Sequence, residues 1–189
     1  MDEVIGIFNK RYPIAKEAQL TLISLLQKRV YNKNEIIQQP GSQCRTIYFV
    51  THGITRIFYH KDGNDVTEHF AFPGDMIIRA ESLFTGQPTP KGIQAITDCE
   101  MIAIPAQPLF ETFKDQHELE RLFNQIFIEA YVATVKRVES LQFKSATERY
   151  LELAKHTNWL KQIPLKYIAS YLGITQVSLS RIRSQVRDS

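Results

Sequence analysis

The stretch Leu165–Ser184, LKYIASYLGITQVSLSRIRS, constrains the fold of this chain more tightly than any other. Apolar residues fall at Ile168, Leu172, Ile174, Leu179 and Ile182, which is helical spacing on either side of a break at Gly173. Two helices crossing steeply through a short turn need a corner residue that tolerates positive φ, and Gly173 provides it. Ala169 is the small residue needed where the helices touch, and Ile174 plugs the corner. Thr175 is placed to cap the second helix by accepting a backbone N–H bond. That helix then offers Gln176, Val177, Ser178, Ser180, Arg181 and Ser184, short or polar groups able to approach base edges and phosphates. The spacing predicts a helix-turn-helix, although an ordinary helical hairpin with a glycine corner would show the same pattern.

Charge favours the first reading. Residues 1–141 carry 15 Lys and Arg against 17 Asp and Glu, whereas residues 142–189 carry 8 against 3. The helical pair therefore sits in the basic segment, as an electrostatic footprint for nucleic acid requires, though a solvated helical face shows a similar excess. No apolar run reaches bilayer length and no charged-then-apolar leader opens the chain, so a cytoplasmic protein without a membrane partner is expected. Cys44 and Cys99 are too few for a disulfide framework or a four-cysteine iron–sulfur cluster, and are expected to be buried thiols.

Residues 14–29 place Leu20, Ile23 and Leu26 along one stripe, widened by Leu22 and Leu25, and predict a helix. From about Val30 the period becomes two. Short β-type runs follow at Glu35–Ile37, Thr46–Val50, Ile54–His60, Asp65–Phe72, Ile93–Ala95 and Glu100–Ile104, separated by turn signals at Pro40-Gly41, His52-Gly53, Asp62-Gly63, Pro73-Gly74 and Gly86-Gln87-Pro88. Such a run of short strands argues an antiparallel roll or jelly roll. Lys61-Asp62-Gly63-Asn64 between two alternating runs predicts a hairpin.

Beyond Pro108 the pattern turns helical. Leu119, Phe123, Ile126, Ala130, Ala133, Arg137 and Leu141 advance by three or four, while Phe127, Ile128, Tyr131, Val132, Val135 and Val138 form a second apolar face. A helix apolar on two sides is expected to pack on the roll with one face and on a copy of itself with the other; burial within one chain is the alternative. The first seam, Leu119, Phe123, Ile126, Ala130, Ala133 and Leu141, is assigned to dimerisation. Residues 145–156 predict a further helix, with Ser145 and Glu148 spaced as a capping box. The expected architecture is α+β, with an effector roll at 1–112, a dimerisation helix at 113–142 and a helix-turn-helix domain at 143–189.

Helix, roll, long helix and basic helix-turn-helix, in that order, resemble the Crp/Fnr family of bacterial transcription regulators. The detailed matches are Pro40-Gly41, the run Val50 to Arg56, Phe72-Pro73-Gly74-Asp75 and Gly86-Gln87, and then Ile168, Ala169, Leu172, Gly173, Ile174, Leu179, Arg181 and Ile182 in the helix-turn-helix. In the cyclic-AMP-binding branch a Gly-Glu pair holds the ribose hydroxyl, and an Arg-Ser or Arg-Thr pair holds the cyclic phosphate. Aligned on Gly74-Asp75 and Gly86-Gln87, these pairs fall on Ile78-Arg79 and Thr89-Pro90. An arginine cannot accept hydroxyl hydrogen bonds and Pro90 has no N–H to donate. Arg79, Glu81, Thr89 and Lys91 are therefore the candidate effector pocket, with no binding of cyclic AMP in the family's usual manner expected. No cofactor is predicted, and the effector is an unidentified small molecule or none. His52, His60 and His69 are the haem-ligand candidates and read more simply as strand residues. No His-x-His pair with a nearby carboxylate supports a metal-dependent jelly-roll enzyme.

The resemblance places Gln176, Val177 and Arg181 at bases. Arg181 suits guanine N7 and O6, and Gln176 adenine or guanine edges. Val177 stands where the family has an acidic base reader and offers only apolar contact. Thr175, Ser178 and Ser180 are expected at phosphates, with Lys166 and Arg183 adding attraction to the backbone. The β-wing that often follows the recognition helix has no counterpart before Ser189. The expected function is that of a non-enzymatic, homodimeric DNA-binding regulator with double-stranded DNA and RNA polymerase as partners. A small-molecule sensor whose terminal helices bind a protein is the alternative.

Overall fold

The computed structural model describes residues 5, 6, 8, 12–155 and 157–187. Among these, two four-stranded antiparallel sheets form a roll. The first has the order β1 (Gln27–Tyr31), β8 (Cys99–Pro105), β3 (Thr46–His52), β6 (Met76–Ile77); the second has β2 (Ile36–Gln38), β7 (Gly92–Ala95), β4 (Thr55–Lys61), β5 (Asn64–Ala71). The predicted hairpin joins β4 to β5 with Lys61 opposite Asn64. Asp62 and Gly63 both have positive φ, 50° and 77°, which is the turn whose twist matches the flanking strands.

Helix α1 spans Lys16–Leu25 rather than 14–29, and Leu26 is already extended. Residues 27–29 instead open β1, where Gln27 through Tyr31 pair with Ala103 through Cys99. Of the expected stripe, Leu22 and Leu26 are buried, whereas Leu20 is exposed and Ala18 is buried in its place. Sheet pairing overrides the local helical period here, because the backbone of β1 finds its partners only on β8.

After β6 a short helix, α2 (Ala80–Thr85), ends on Gly86 in the left-handed region. Helix α3 (Ala106–Thr112) leads to the long α4 (His117–Phe143). Then come α5 (Ala146–Ala154), α6 (Thr157–Leu160), α7 (Leu165–Leu172) and α8 (Gln176–Arg187). His156, at the end of the helix expected over 145–156, lies outside the described residues. The capping box at the start of α5 is present: Ser145 Oγ accepts from the Glu148 N–H at 3.2 Å, and the Glu148 carboxylate accepts from the Ser145 N–H at 2.7 Å.

Apolar burial divides into three clusters. One lies between the first sheet and the helices, where Leu22, Phe49 and Ile104 meet Leu119, Leu122 and Phe123. A second fills the roll between the sheets, with Val50, Ile57, Ile77, Ile93 and Met101. The third joins Ile54, Phe70 and Ile96 of the roll to Leu153, Ile163, Ile168, Leu172 and Leu179 of the terminal helices. Cys44 and Cys99 are buried free thiols. No described helix is long and apolar enough to cross a membrane.

The first cluster corrects the dimerisation seam. Leu119, Phe123 and Ile126 are buried in the core of their own chain, so none has surface left for a second copy. Ala130 is half-buried, and Ala133 and Leu141 are exposed. The open apolar face is the other one: Ile128, Tyr131, Val132, Val135 and Val138. Periodicity identifies two stripes on a helix, but not which of them meets the roll.

Candidate nucleic-acid interface and effector pocket

Helix α7 ends at Gly173, which adopts φ 68° and ψ 33°, a left-handed cap that side-chain-bearing residues adopt only at a cost. The turn carries the chain into α8. Thr175 Oγ1 accepts from the Ser178 N–H at 3.1 Å, as expected of an N-cap. Leu179 and Ile182 are buried with Ile168, Ala169 and Leu172 of α7, which leaves the opposite face of α8 open. Gln176, Val177, Ser180 and Arg181 are all exposed on it. The steps of four from Gln176 to Ser180 and from Val177 to Arg181 hold these side chains together on one strip of surface.

The expected phosphate contacts divide. The Thr175 and Ser178 hydroxyls bond each other at 3.0 Å, so one hydroxyl proton of the two remains for an outside acceptor. Lys166 is exposed on the first turn of α7, and Arg183 is half-buried on α8.

The helical pair α7–α8 is also docked on the roll. Ser170 Oγ, on α7, accepts from the Thr67 N–H of β5 at 2.8 Å, satisfying an edge-strand donor. Beside it the Arg56 guanidinium is almost completely buried. It forms a bidentate pair with Asp65 at 2.6 and 2.7 Å, donates to Thr67 Oγ1 and Gln94 Oε1 at 2.9 Å, and lies 3.6 Å from the centroid of the Tyr167 ring. In sequence Arg56 is only the last residue of the matched run Val50 to Arg56. Only the packing of α7 on β5 reveals it as the link between roll and helices.

Of the four effector-pocket candidates, the structure brings Arg79 and Thr89 together. Both are buried beside the turn at Gln39–Ser42, where the Gly41 N–H donates to the Thr89 carbonyl at 2.8 Å. Arg79 Nε donates to Gln38 Oε1 at 2.8 Å, Nη1 to the carbonyls of Gln39 and Lys91 at 3.0 and 2.8 Å, and Nη2 to Ser42 Oγ at 3.2 Å. All these acceptors are neutral. The guanidinium thus bridges three segments of the roll. Lys91 joins them through its backbone carbonyl alone, its Nζ pairing with Glu68 at 2.6 Å, and Glu81 points out from α2 into solvent. A cavity of about 720 Å3 lies elsewhere, between Arg45, Leu83, Phe110 and Lys114, and is lined by none of the four. His52, His60 and His69 are exposed on strands, and among the described residues no group of three or more His, Cys, Asp or Glu is placed to hold a metal.

Residues 28–116 match the cyclic nucleotide-binding domain family. The match spans the roll and stops short of the terminal helices. Solved structures extend the likeness over nearly the whole chain. A Crp/Fnr-family protein from Eubacterium rectale superposes with TM-score 0.71 at 18% identity, covering 94% of this chain and 88% of that one. FixK2 from Bradyrhizobium japonicum gives 0.69 at 22%, covering 86% and 85%. The c-di-GMP-responsive global regulator CLP of Xanthomonas campestris gives 0.67 at 15%, covering 92% of each. At these identities the likeness is one of fold. No curated protein matches the chain by sequence. The cyclic nucleotide-binding-type roll therefore has Arg79 at the position that the resemblance gives to the ribose carboxylate.

Proposed function

We propose that this chain is a homodimeric, sequence-specific DNA-binding transcription regulator of the Crp/Fnr type, acting in the cytoplasm and not switched by cyclic AMP in the family's usual manner. The observation that carries the reading is the open strip of α8, where Gln176, Val177, Ser180 and Arg181 stand exposed on a capped helix whose other face is locked onto α7. The exposed stripe Ile128, Tyr131, Val132, Val135 and Val138 on α4 supports pairing with a second copy. Two recognition helices would then enter successive major grooves about 34 Å apart. Its partners are double-stranded DNA and, at promoters, RNA polymerase; no step of chemistry is required. Arg79, satisfied by its own roll, supports independence from cyclic AMP, since no carboxylate is offered to a ribose there.

Selection of random duplexes on the purified chain tests the reading. A palindromic consensus with half-sites one helical turn apart is expected. Arg181→Ala should weaken binding by about 1–3 kcal/mol and relax one base position. Failure to enrich any palindrome, with or without cell extract, favours a sensor whose terminal helices bind protein.

A further inference from the structure

A cavity of about 560 Å3 lies where α4, α5 and α7 converge, and its lining includes Lys136, Arg137, Lys144, Arg149 and Tyr171. Four cations face two carboxylates there, Glu139 and Glu152, and Glu152 is already paired with Lys144. Arg137 Nη2 donates to the Tyr171 carbonyl, and its guanidinium lies 3.8 Å from the Tyr171 ring centroid. Arg149 donates to the carbonyls of Lys144 and Leu172, the latter at 2.9 Å. Tyr171 and Leu172 end α7, so both arginines complement the negative end of that helix.

Capping does not use everything these side chains offer. The Nε of Arg137 and the Nε of Arg149 are both buried, and neither has a hydrogen-bond partner. Burial holds the Arg137 guanidinium below the ordinary arginine range; Tyr171 acts in the opposite sense and the like charge of Arg149 in the same sense. Both Nε–H groups sit inside the cavity wall, so an anion reaches them only once each guanidinium turns that edge toward the cavity, and the turn relieves two buried unpaired donors. The Nε–H and Nη–H edge of an arginine matches two oxygens of a phosphate, a fit that lysine cannot reproduce.

We infer that this joint is a binding site for a phosphate-type oxyanion, held by Arg137 and Arg149 with Lys136 adding charge at the rim. The chemistry is the same whether the phosphate belongs to a free small molecule or to a DNA backbone. Once bound, the anion ties together three helices whose mutual orientation sets the direction of α8.

Calorimetric titration of the full chain with inorganic phosphate, at constant ionic strength against chloride, tests the site. Saturable binding is expected, weakened at least tenfold by Lys136→Gln and by Arg149→Lys. Lys136 is exposed and makes no structural bond, so its variant keeps the fold, and thermal melting checks that. The second arm measures the salt dependence of DNA affinity for the wild type and Lys136→Gln. A slope of log K on log salt lowered by about one unit assigns the phosphate to DNA. An unchanged slope with lost phosphate binding assigns it to a free ligand. No phosphate binding above chloride together with an unchanged slope overturns the proposal, as does phosphate binding indifferent to both substitutions. The calorimetric arm contains no DNA, so it stands even where the selection of duplexes fails.

Discussion

Two buried arginines show how much one residue can decide. Arg56 meets a carboxylate and an aromatic face, and so joins two parts of the chain; Arg79 meets only neutral oxygens, and so ties segments of the roll to one another. With Arg79 bonded inward and Pro90 unable to donate, the wild type should show no saturable heat on titration with cyclic AMP, and a saturable isotherm would reject that reading. Of the glycines, Gly53 leaves the least room for a side chain. It holds φ +87°, and an added Cβ would stand 2.3 Å from the Asp98 carbonyl oxygen and 2.7 Å from Cys99 Sγ. Gly53→Ala is thus expected to cost about 3 kcal/mol or more in denaturant unfolding, from backbone strain and overpacking together. The glycine was visible in sequence as a turn signal, but the Cys99 sulfur beside it was not. Cys99 comes from β8, across a sheet whose register no local pattern states.

Among the elements, α4 carries the clearest consequence. Its N-terminal half is fixed by Leu119, Leu122, Phe123 and Ile126 to the roll, while Tyr131, Val132, Val135 and Val138 stay exposed farther along. Apolar side chains in a row on an exposed helix stabilise by pairing, since burial returns roughly 25 cal/mol for each Å2 removed from water. Val135→Glu should therefore yield monomers in sedimentation velocity and lose affinity for a palindromic duplex while keeping the wild-type far-ultraviolet spectrum. A dimer that survives the change would place the interface elsewhere. Helix α5 offers a finer test. Hydrogen bonds from the Ser145 side chain and backbone hold the Glu148 carboxyl below the ordinary glutamate range. A depressed folded value means that the box is fully formed above the usual glutamate pKa and is lost as pH falls through the folded one. Ser145→Ala should cost about 1 kcal/mol at neutral pH. It should also move the Glu148 titration, followed by carboxyl chemical shift, back toward the ordinary value.

At the scale of the whole molecule, the third apolar cluster makes the roll and the terminal helices one folding problem. Tyr167 supplies the ring beneath Arg56 and also packs in that cluster. Tyr167→Ala should uncouple the two parts, so that Trp159 fluorescence, from the single tryptophan packed 6.1 Å from the Phe72 ring, is lost at a lower temperature than the far-ultraviolet signal of the roll. Coincident transitions in the variant would show the contact to be dispensable. The sequence by itself determined the types and order of most elements, the Asp62-Gly63 hairpin, the Ser145 box, and the crossing at Gly173 with its open α8 face. Each of these depends on residues within a few positions of one another, where backbone preference and periodicity act directly. Only the tertiary structure decided that β1 begins where a helix was expected, that the seam from Leu119 to Ile126 belongs to the roll, and that Arg56 joins β5 to α7. It alone placed unpaired Nε atoms of Arg137 and Arg149 at one joint. These depend on which surfaces meet across long stretches of chain, and burial rewards any apolar stripe equally until the fold settles which partner is within reach.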